Sequence, residues 1–188
     1  MSGLGFKEVY NVKGGIKSWD GVKAAGPKEL NLNMIKEDET PAGIIMIAYA
    51  METASQAFYR ETKEKTDDSS LNELLATLVD VEEKHKKMLE GLLSKVESAD
   101  KDLKTLKEKD SGSTIMEGGF DVKGFMKENA AFLDSVENVV ELAMTLETQS
   151  LDLYLRFAEK SGHQETKDVL FTIAEEEKGH LKSLGKLL

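Results

Sequence analysis

The most informative part of this chain is residues 75–92, LATLVDVEEKHKKMLEGL. Its leucines recur at alternating steps of three and four, the spacing of the inward seam of a helix in a bundle. Glu82 and His85 fall on the same seam as the leucines. The spacing therefore predicts a long helix that carries a carboxylate and an imidazole into the interior of a helical bundle.

The same pattern returns 95 residues later, in residues 170–187, LFTIAEEEKGHLKSLGKL. A gapless comparison of 40–89 with 135–184 gives 13 identities in 50 positions. Typical residue frequencies would give about three by chance. We therefore predict two copies of one helical hairpin, related by a pseudo-twofold axis. The identical pairs include Ala48/Ala143, Glu52/Glu147, Ser55/Ser150, Tyr59/Tyr154, Glu82/Glu177 and His85/His180.

Apolar residues at helical spacing occupy four long segments, so the chain is predicted to be all-α. The predicted long helices cover about residues 40–65, 71–98, 135–160 and 165–188, with a shorter helix around 122–131. Only a few residues separate the first helix from the second, and the third from the fourth, so each pair should form an antiparallel hairpin. The connection over 99–134 is long enough to run the length of a bundle and return. One long crossover between two hairpins is the ferritin-like variant of the four-helix bundle.

Each predicted long helix carries a glutamate near the middle of its seam, and two helices add a histidine one turn later. Four carboxylates inside one bundle would repel each other and lose hydration, at a cost of several kcal/mol each. Two divalent cations would balance these charges, and the Glu-x-x-His spacing lets both side chains reach one metal. Oxygen and imidazole ligands suit iron or manganese and do not exclude zinc. The candidate metal ligands are Glu52, Glu82, His85, Glu147, Glu177 and His180.

Single elements of this pattern are weak evidence for a metal site. One Glu-x-x-His in a glutamate-rich helix is common, and one glutamate on a seam can equally lie at a solvated edge. Six residues at matching positions in four helices favour the metal site. Four neighbouring titratable residues lie off the seams or in a turn and are predicted to face solvent: Glu83, Glu175, Glu176 and His163.

Tyr59 and Tyr154 each lie seven residues, or two helical turns, after a candidate ligand. Two interpretations remain open. The rings could simply fill the core, or their hydroxyls could hydrogen-bond a ligating carboxylate and so assist the chemistry of the site.

The composition excludes several classes of protein. The chain has 25 Lys and Arg against 35 Asp and Glu, and a net charge of −10 disfavours nucleic acids and anionic membranes as partners. The absence of cysteine excludes disulfides, Cys-ligated metals and a thiol nucleophile. No apolar run reaches about 18 residues and no signal-peptide pattern is present, so we expect a cytoplasmic protein.

Four stretches carry a resemblance to a known family: Ala48-Tyr49-Ala50-Met51-Glu52 with Phe58-Tyr59, Glu82-Glu83-Lys84-His85, Leu146-Glu147 with Tyr154, and Glu177-Lys178-Gly179-His180. Over residues 40–188 the chain resembles the rubrerythrin branch of the ferritin-like superfamily. The resemblance implies a homodimer with a non-haem site for two iron ions that reduces hydrogen peroxide or oxidises ferrous iron with O₂. It implies the same six metal ligands as the seam pattern.

The chain departs from this family in two ways. Rubrerythrins carry an additional glutamate one turn after the ligand of the third helix, and this chain has Ser150 there. They also append a rubredoxin-like domain with Cys-ligated iron, which a chain without cysteine cannot contain. An external electron donor, rubredoxin-like or similar, is therefore expected.

A second resemblance concerns residues 5–19, GFKEVYNVKGGIKSW, which look like the closing strand, turn and helix of a rhodanese domain. The catalytic cysteine loop of that domain would lie upstream, so we expect no sulfurtransferase activity. The predicted organisation is a rhodanese-like remnant over 1–30 and a di-metal bundle over 38–188. The chain would be a fragment of a rhodanese–rubrerythrin fusion or carry a degenerate remnant, which either packs on the bundle or exchanges between chains.

Three functions are compatible with these patterns. The leading hypothesis is a di-iron oxidoreductase that reduces hydrogen peroxide. The second is an iron-handling ferroxidase that uses O₂. The third is a non-enzymatic metal-binding bundle associated with a rhodanese partner.

Overall fold

The computed structural model describes residues 35–36, 38–96, 114–130 and 133–187. These residues contain five α-helices: α1 (Pro41–Lys63), α2 (Ser69–Val96), α3 (Val122–Asn129), α4 (Val136–Lys160) and α5 (Gln164–Leu184). The short antiparallel strands β1 (Ile115–Met116) and β2 (Phe120–Asp121) flank a 3-10 turn (Glu117–Gly119). The prediction of an all-α, ferritin-like bundle is confirmed. The strand and helix predicted within 1–30 lie outside the described residues.

Two of the long helices, α1 and α4, begin next to a residue whose side chain caps the helix. Thr40 Oγ1 accepts a hydrogen bond from the Gly43 N–H at 3.0 Å, and a proline opens α1. Ser135 Oγ accepts one from the Asn138 N–H at 3.2 Å and so begins α4. Each such cap contributes about 1 kcal/mol, because it satisfies a backbone donor that the helix itself leaves unpaired.

The four long helices pack as two hairpins, α1 with α2 and α4 with α5. Two apolar clusters fill the bundle. One contains Ile45, Leu89 and Ile173, and the other contains Leu75 and Leu146. The seam glutamates fall between these clusters along every long helix, so apolar layers enclose them on both sides. None of the described helices is both long enough and apolar enough to cross a membrane.

The structure corrects the predicted seams at two helix ends. At the end of α2, Leu93 is fully buried and Leu92 is only partly buried. The reason is that positions chosen by a strict alternation of three and four rotate by about 20° per heptad around an ideal helix. Leu187, predicted to face inward, is 57% exposed, because α5 ends at Leu184 and residues 185–187 form a turn.

Candidate metal centre

The first hairpin brings together one histidine and two glutamates. His85 Nδ1 lies 3.3 Å from Glu52 Oε2 and 3.1 Å from Glu82 Oε2. All three side chains are buried. Glu82 and His85 come from one face of α2, and Glu52 comes from the facing seam of α1.

The second hairpin repeats this arrangement. His180 Nδ1 lies 3.2 Å from Glu147 Oε2 and 3.1 Å from Glu177 Oε2. These distances match those of the first hairpin pair by pair. The repeat found in the sequence is therefore also a repeat of geometry, and the structure brings all six predicted site residues into two equivalent half-sites.

The two histidines join the half-sites. The rings of His85 and His180 stack with centroids 3.6 Å apart and planes inclined by 11°. Because the imidazoles are in contact, the two Glu₂His groups belong to one centre in the middle of the bundle.

Burial dominates the electrostatics of the four seam glutamates, which are at most 3% exposed. Loss of hydration raises the pKa of Glu82 and of Glu177 from 4.5 to about 8, and that of Glu147 to about 7. It also raises the pKa of Glu52 well above its usual range, and the negative charge of Glu82 adds to this effect. Without a counter-charge these carboxyl groups hold protons near neutral pH.

A fifth carboxylate, which the sequence analysis did not single out, lies in the same centre. Glu117 belongs to the 3-10 turn of the crossover and has no exposed surface. Neither of its carboxylate oxygens has a hydrogen-bond partner in the described part of the chain. Burial raises its pKa well above the usual range, and the charges of Glu52 and Glu147 raise it further.

Two serines hold the turn that carries Glu117. Ser55 Oγ accepts a hydrogen bond from the Glu117 N–H at 3.2 Å, and Ser150 Oγ accepts one from the Gly118 N–H at 2.9 Å. Gly118 has φ = 67°, a backbone conformation that glycine adopts far more readily than residues with a side chain. A Cβ at this position would also lie 2.6 Å from Gln149 Cβ, so the turn approaches α4 too closely for any other residue.

In the part of the chain that the structure describes, four sets of three side chains place possible ligand atoms within 4.8 Å of one another. Two sets are the half-sites themselves. The other two each combine Glu117 with one glutamate from each hairpin. The four sets are Glu52/Glu82/His85, Glu147/Glu177/His180, Glu52/Glu117/Glu177 and Glu82/Glu117/Glu147.

Comparison with family models agrees with this geometry, since the model named Rubrerythrin matches residues 43–188. The chain belongs to the rubrerythrin family. No curated protein and no solved structure gives a significant match. Membership implies a di-iron carboxylate protein, and the Glu/His clusters are its candidate metal sites.

The donor set of this rubrerythrin fits a pair of divalent metal ions. Carboxylate oxygens and imidazole nitrogens converge, most of them buried, and Glu117 adds two oxygens with no partner in the described chain. Buried anions of this kind require a cation or protons. Iron and manganese accept such mixed oxygen and nitrogen ligands.

Tyr59 and Tyr154 lie beside the centre of this rubrerythrin and are almost wholly buried. Tyr59 belongs to one of the two apolar clusters and Tyr154 to the other. Burial raises the pKa of both phenols well above 10, and the charges of the neighbouring glutamates raise it further. The Tyr154 hydroxyl has no hydrogen-bond partner among the described residues, so the expected bond to a carboxylate is not formed there. A role for either tyrosine in the chemistry stays a prediction.

The charged residues around the motifs mostly follow expectation. Glu175, Glu176 and His163 are exposed, as predicted. Glu83 is partly exposed and pairs with the buried Lys86 at 3.3 Å. Lys86 lowers the pKa of Glu82 but does not overcome the effect of burial, so this lysine balances only part of the negative charge.

A cavity of about 540 Å³ gives access to the centre. It is lined mainly by α2 and α5, and it reaches His85, His180 and Glu147. Its lining also includes the exposed residues Lys84 and Glu176, so it connects the centre with the surface. Its volume is ample for a small oxidant and lies in the range of small-molecule sites.

Proposed function

We propose that this rubrerythrin is a non-haem di-iron oxidoreductase that reduces hydrogen peroxide. The observation that supports it is the pair of matched Glu₂His half-sites, joined by the stacked rings of His85 and His180. The proposed ligands are those six residues, four glutamates and two histidines. The proposal extends to a homodimer located in the cytoplasm.

When bound, two ferrous ions supply the two electrons of the balanced reaction H₂O₂ + 2 H⁺ + 2 e⁻ → 2 H₂O. The protein contributes the remaining functions. The carboxylates would balance the charge of the metals, and the apolar clusters shield the centre from water along the direction of the helices. The cavity between α2 and α5 admits a small oxidant on the side where the histidines lie.

Electrons for a further turnover must come from outside the chain. The chain contains no cysteine, so it holds no Cys-ligated iron relay of its own. We therefore propose an external donor, rubredoxin-like or similar.

Iron handling is the second candidate function, and a carboxylate in the lining of the cavity favours it. The exposed carboxylate of Glu176 lines the same cavity as Glu147. Glu176 offers a ferrous ion a carboxylate contact in the cavity that reaches Glu147, beside the positive charge of Lys84. A ferroxidase would use this path for iron and O₂ as oxidant.

The decisive experiment is an anaerobic titration of the metal-free protein with ferrous iron, followed by separate addition of peroxide and of O₂. We expect uptake of two irons per chain and faster oxidation by peroxide, followed by stopped-flow absorbance. A clear preference for O₂ would instead support ferroxidase activity. Failure to bind iron, or zinc as the metal of the natively expressed protein, would favour a non-enzymatic bundle with a rhodanese partner.

A further inference from the structure

The crossover contributes a carboxylate that the metal centre described so far leaves without a role. Glu117 has no exposed surface, and within the described residues its two carboxylate oxygens have no hydrogen-bond partner. A buried polar group without a partner costs about 1–3 kcal/mol, and more when it is charged. A charged carboxylate in this position therefore needs a cation or a proton, and the described residues supply it with no partner.

We propose that Glu117 is a seventh metal ligand, delivered by the crossover and shared between the two half-sites. The Glu117 carboxylate lies within 4.8 Å of ligand atoms of Glu52 and Glu177 in one candidate metal set. In the other set it lies within the same distance of ligand atoms of Glu82 and Glu147. Each set takes one glutamate from each hairpin, so Glu117 lies between the half-sites and does not belong to either. This inference depends on the metal site of the proposed function but not on reduction of peroxide.

The backbone of the turn is arranged to hold this carboxylate in place. Ser55 and Ser150 occupy equivalent positions of the repeat, and each accepts a hydrogen bond from a consecutive N–H of the turn. Both α1 and α4 therefore fix the same short segment.

The charge of the centre gives Glu117 a measurable consequence. Four glutamates balance two ferrous ions but leave two positive charges on a diferric pair. A fifth carboxylate leaves one negative charge in the reduced state and one positive charge in the oxidised state. Glu117 should therefore stabilise the oxidised pair relative to the reduced pair and lower its reduction potential.

The test compares the wild type with Glu117→Gln, which keeps the size of the side chain and the hydrogen bonds of the turn. Each metal-free protein is titrated with Co²⁺, whose visible spectrum reports the number of ligands. For Glu117→Gln we expect at least about tenfold weaker binding, a changed cobalt spectrum and, in the iron form, a higher reduction potential. The matched control is Glu128→Gln, an exposed glutamate in the same crossover, which should behave like the wild type.

A second variant separates loss of a ligand from a general loss of structure. Glu117→Ala should also bind cobalt weakly, and added acetate should restore both the affinity and the spectrum by supplying a carboxylate to the vacated space. Wild-type affinity and spectrum in Glu117→Gln, or no effect of acetate on Glu117→Ala, would overturn the inference. Failure of the wild type itself to bind cobalt would instead remove the proposed metal site, together with everything that depends on it.

Discussion

Replacement of Glu177 by glutamine is expected to stabilise the metal-free bundle increasingly as the pH rises. Burial, the largest cause, raises the pKa of this carboxyl group from 4.5 to about 8. Between these two values the folded chain binds a proton that the unfolded chain has released. The free energy of unfolding of the wild type is therefore highest below pH 4.5, where Glu177 is protonated in both states. It falls as the pH rises towards 8.

The size of the effect follows from the two pKa values. Between pH 4.5 and pH 8, each pH unit lowers the free energy of unfolding of the metal-free wild type by about 1.4 kcal/mol. The cost amounts to about 1 kcal/mol at pH 5 and about 4 kcal/mol at pH 8. Glutamine is neutral at both pH values, so the stability of Glu177→Gln relative to the wild type should increase by about 3 kcal/mol over this interval.

Urea unfolding of the chelator-treated proteins, followed by circular dichroism at the two pH values, measures this difference. The matched control is Glu175→Gln, an exposed glutamate on the same helix, whose effect on stability should be small. The slope of free energy against urea should stay unchanged, which shows that the same surface unfolds in every variant. An equal difference between Glu177→Gln and the wild type at both pH values would refute the electrostatic reasoning.

Two further changes test the site and its support. The double variant Glu52→Ala with Glu147→Ala should lose both metal ions in elemental analysis, and retention of two ions per chain would contradict the ligand assignment. Gly118→Ala should lower the free energy of unfolding by more than about 1 kcal/mol and weaken metal binding, because φ is 67° and the added Cβ would lie 2.6 Å from a neighbouring carbon atom. Gly91→Ala in α2 is its control, since the added Cβ meets no atom within 4 Å and should stabilise the helix by about 1 kcal/mol in the same urea assay.

The helices and the half-sites could be predicted because both depend on local periodicity. An α-helix has 3.6 residues per turn, so the spacing of Glu82 and His85 is enough to place them on one face. The capping residues Thr40 and Ser135 mark where two of the helices start. The internal repeat then shows which residues of the two hairpins are equivalent, and this can be read from the sequence alone. Within the described residues, the ends of two seams differ from the prediction, at Leu92 and at Leu187.

Glu117 could not be predicted from periodicity, because a crossover has none. Its position depends on tertiary contacts between the turn and two helices. The sequence does contain an indirect signal. Ser55 and Ser150 are small polar residues at matching seam positions, and the Gly118-Gly119 pair allows a tight turn. Hydroxyl groups at equivalent core positions indicate that a backbone segment enters the bundle, because its N–H groups need hydrogen-bond acceptors there.

The single crossover also removes the equivalence of the two hairpins. Two separate hairpins could associate as an exact dimer, with indistinguishable halves. Here one turn occupies the interior, and the two repeated serines accept from different residues, Ser55 from Glu117 and Ser150 from Gly118. The pseudo-twofold axis relates His85 to His180, but it relates the turn to no second copy of the turn. Substitution of one member of a repeated pair therefore probes one side of an asymmetric centre, and its twin is a separate experiment.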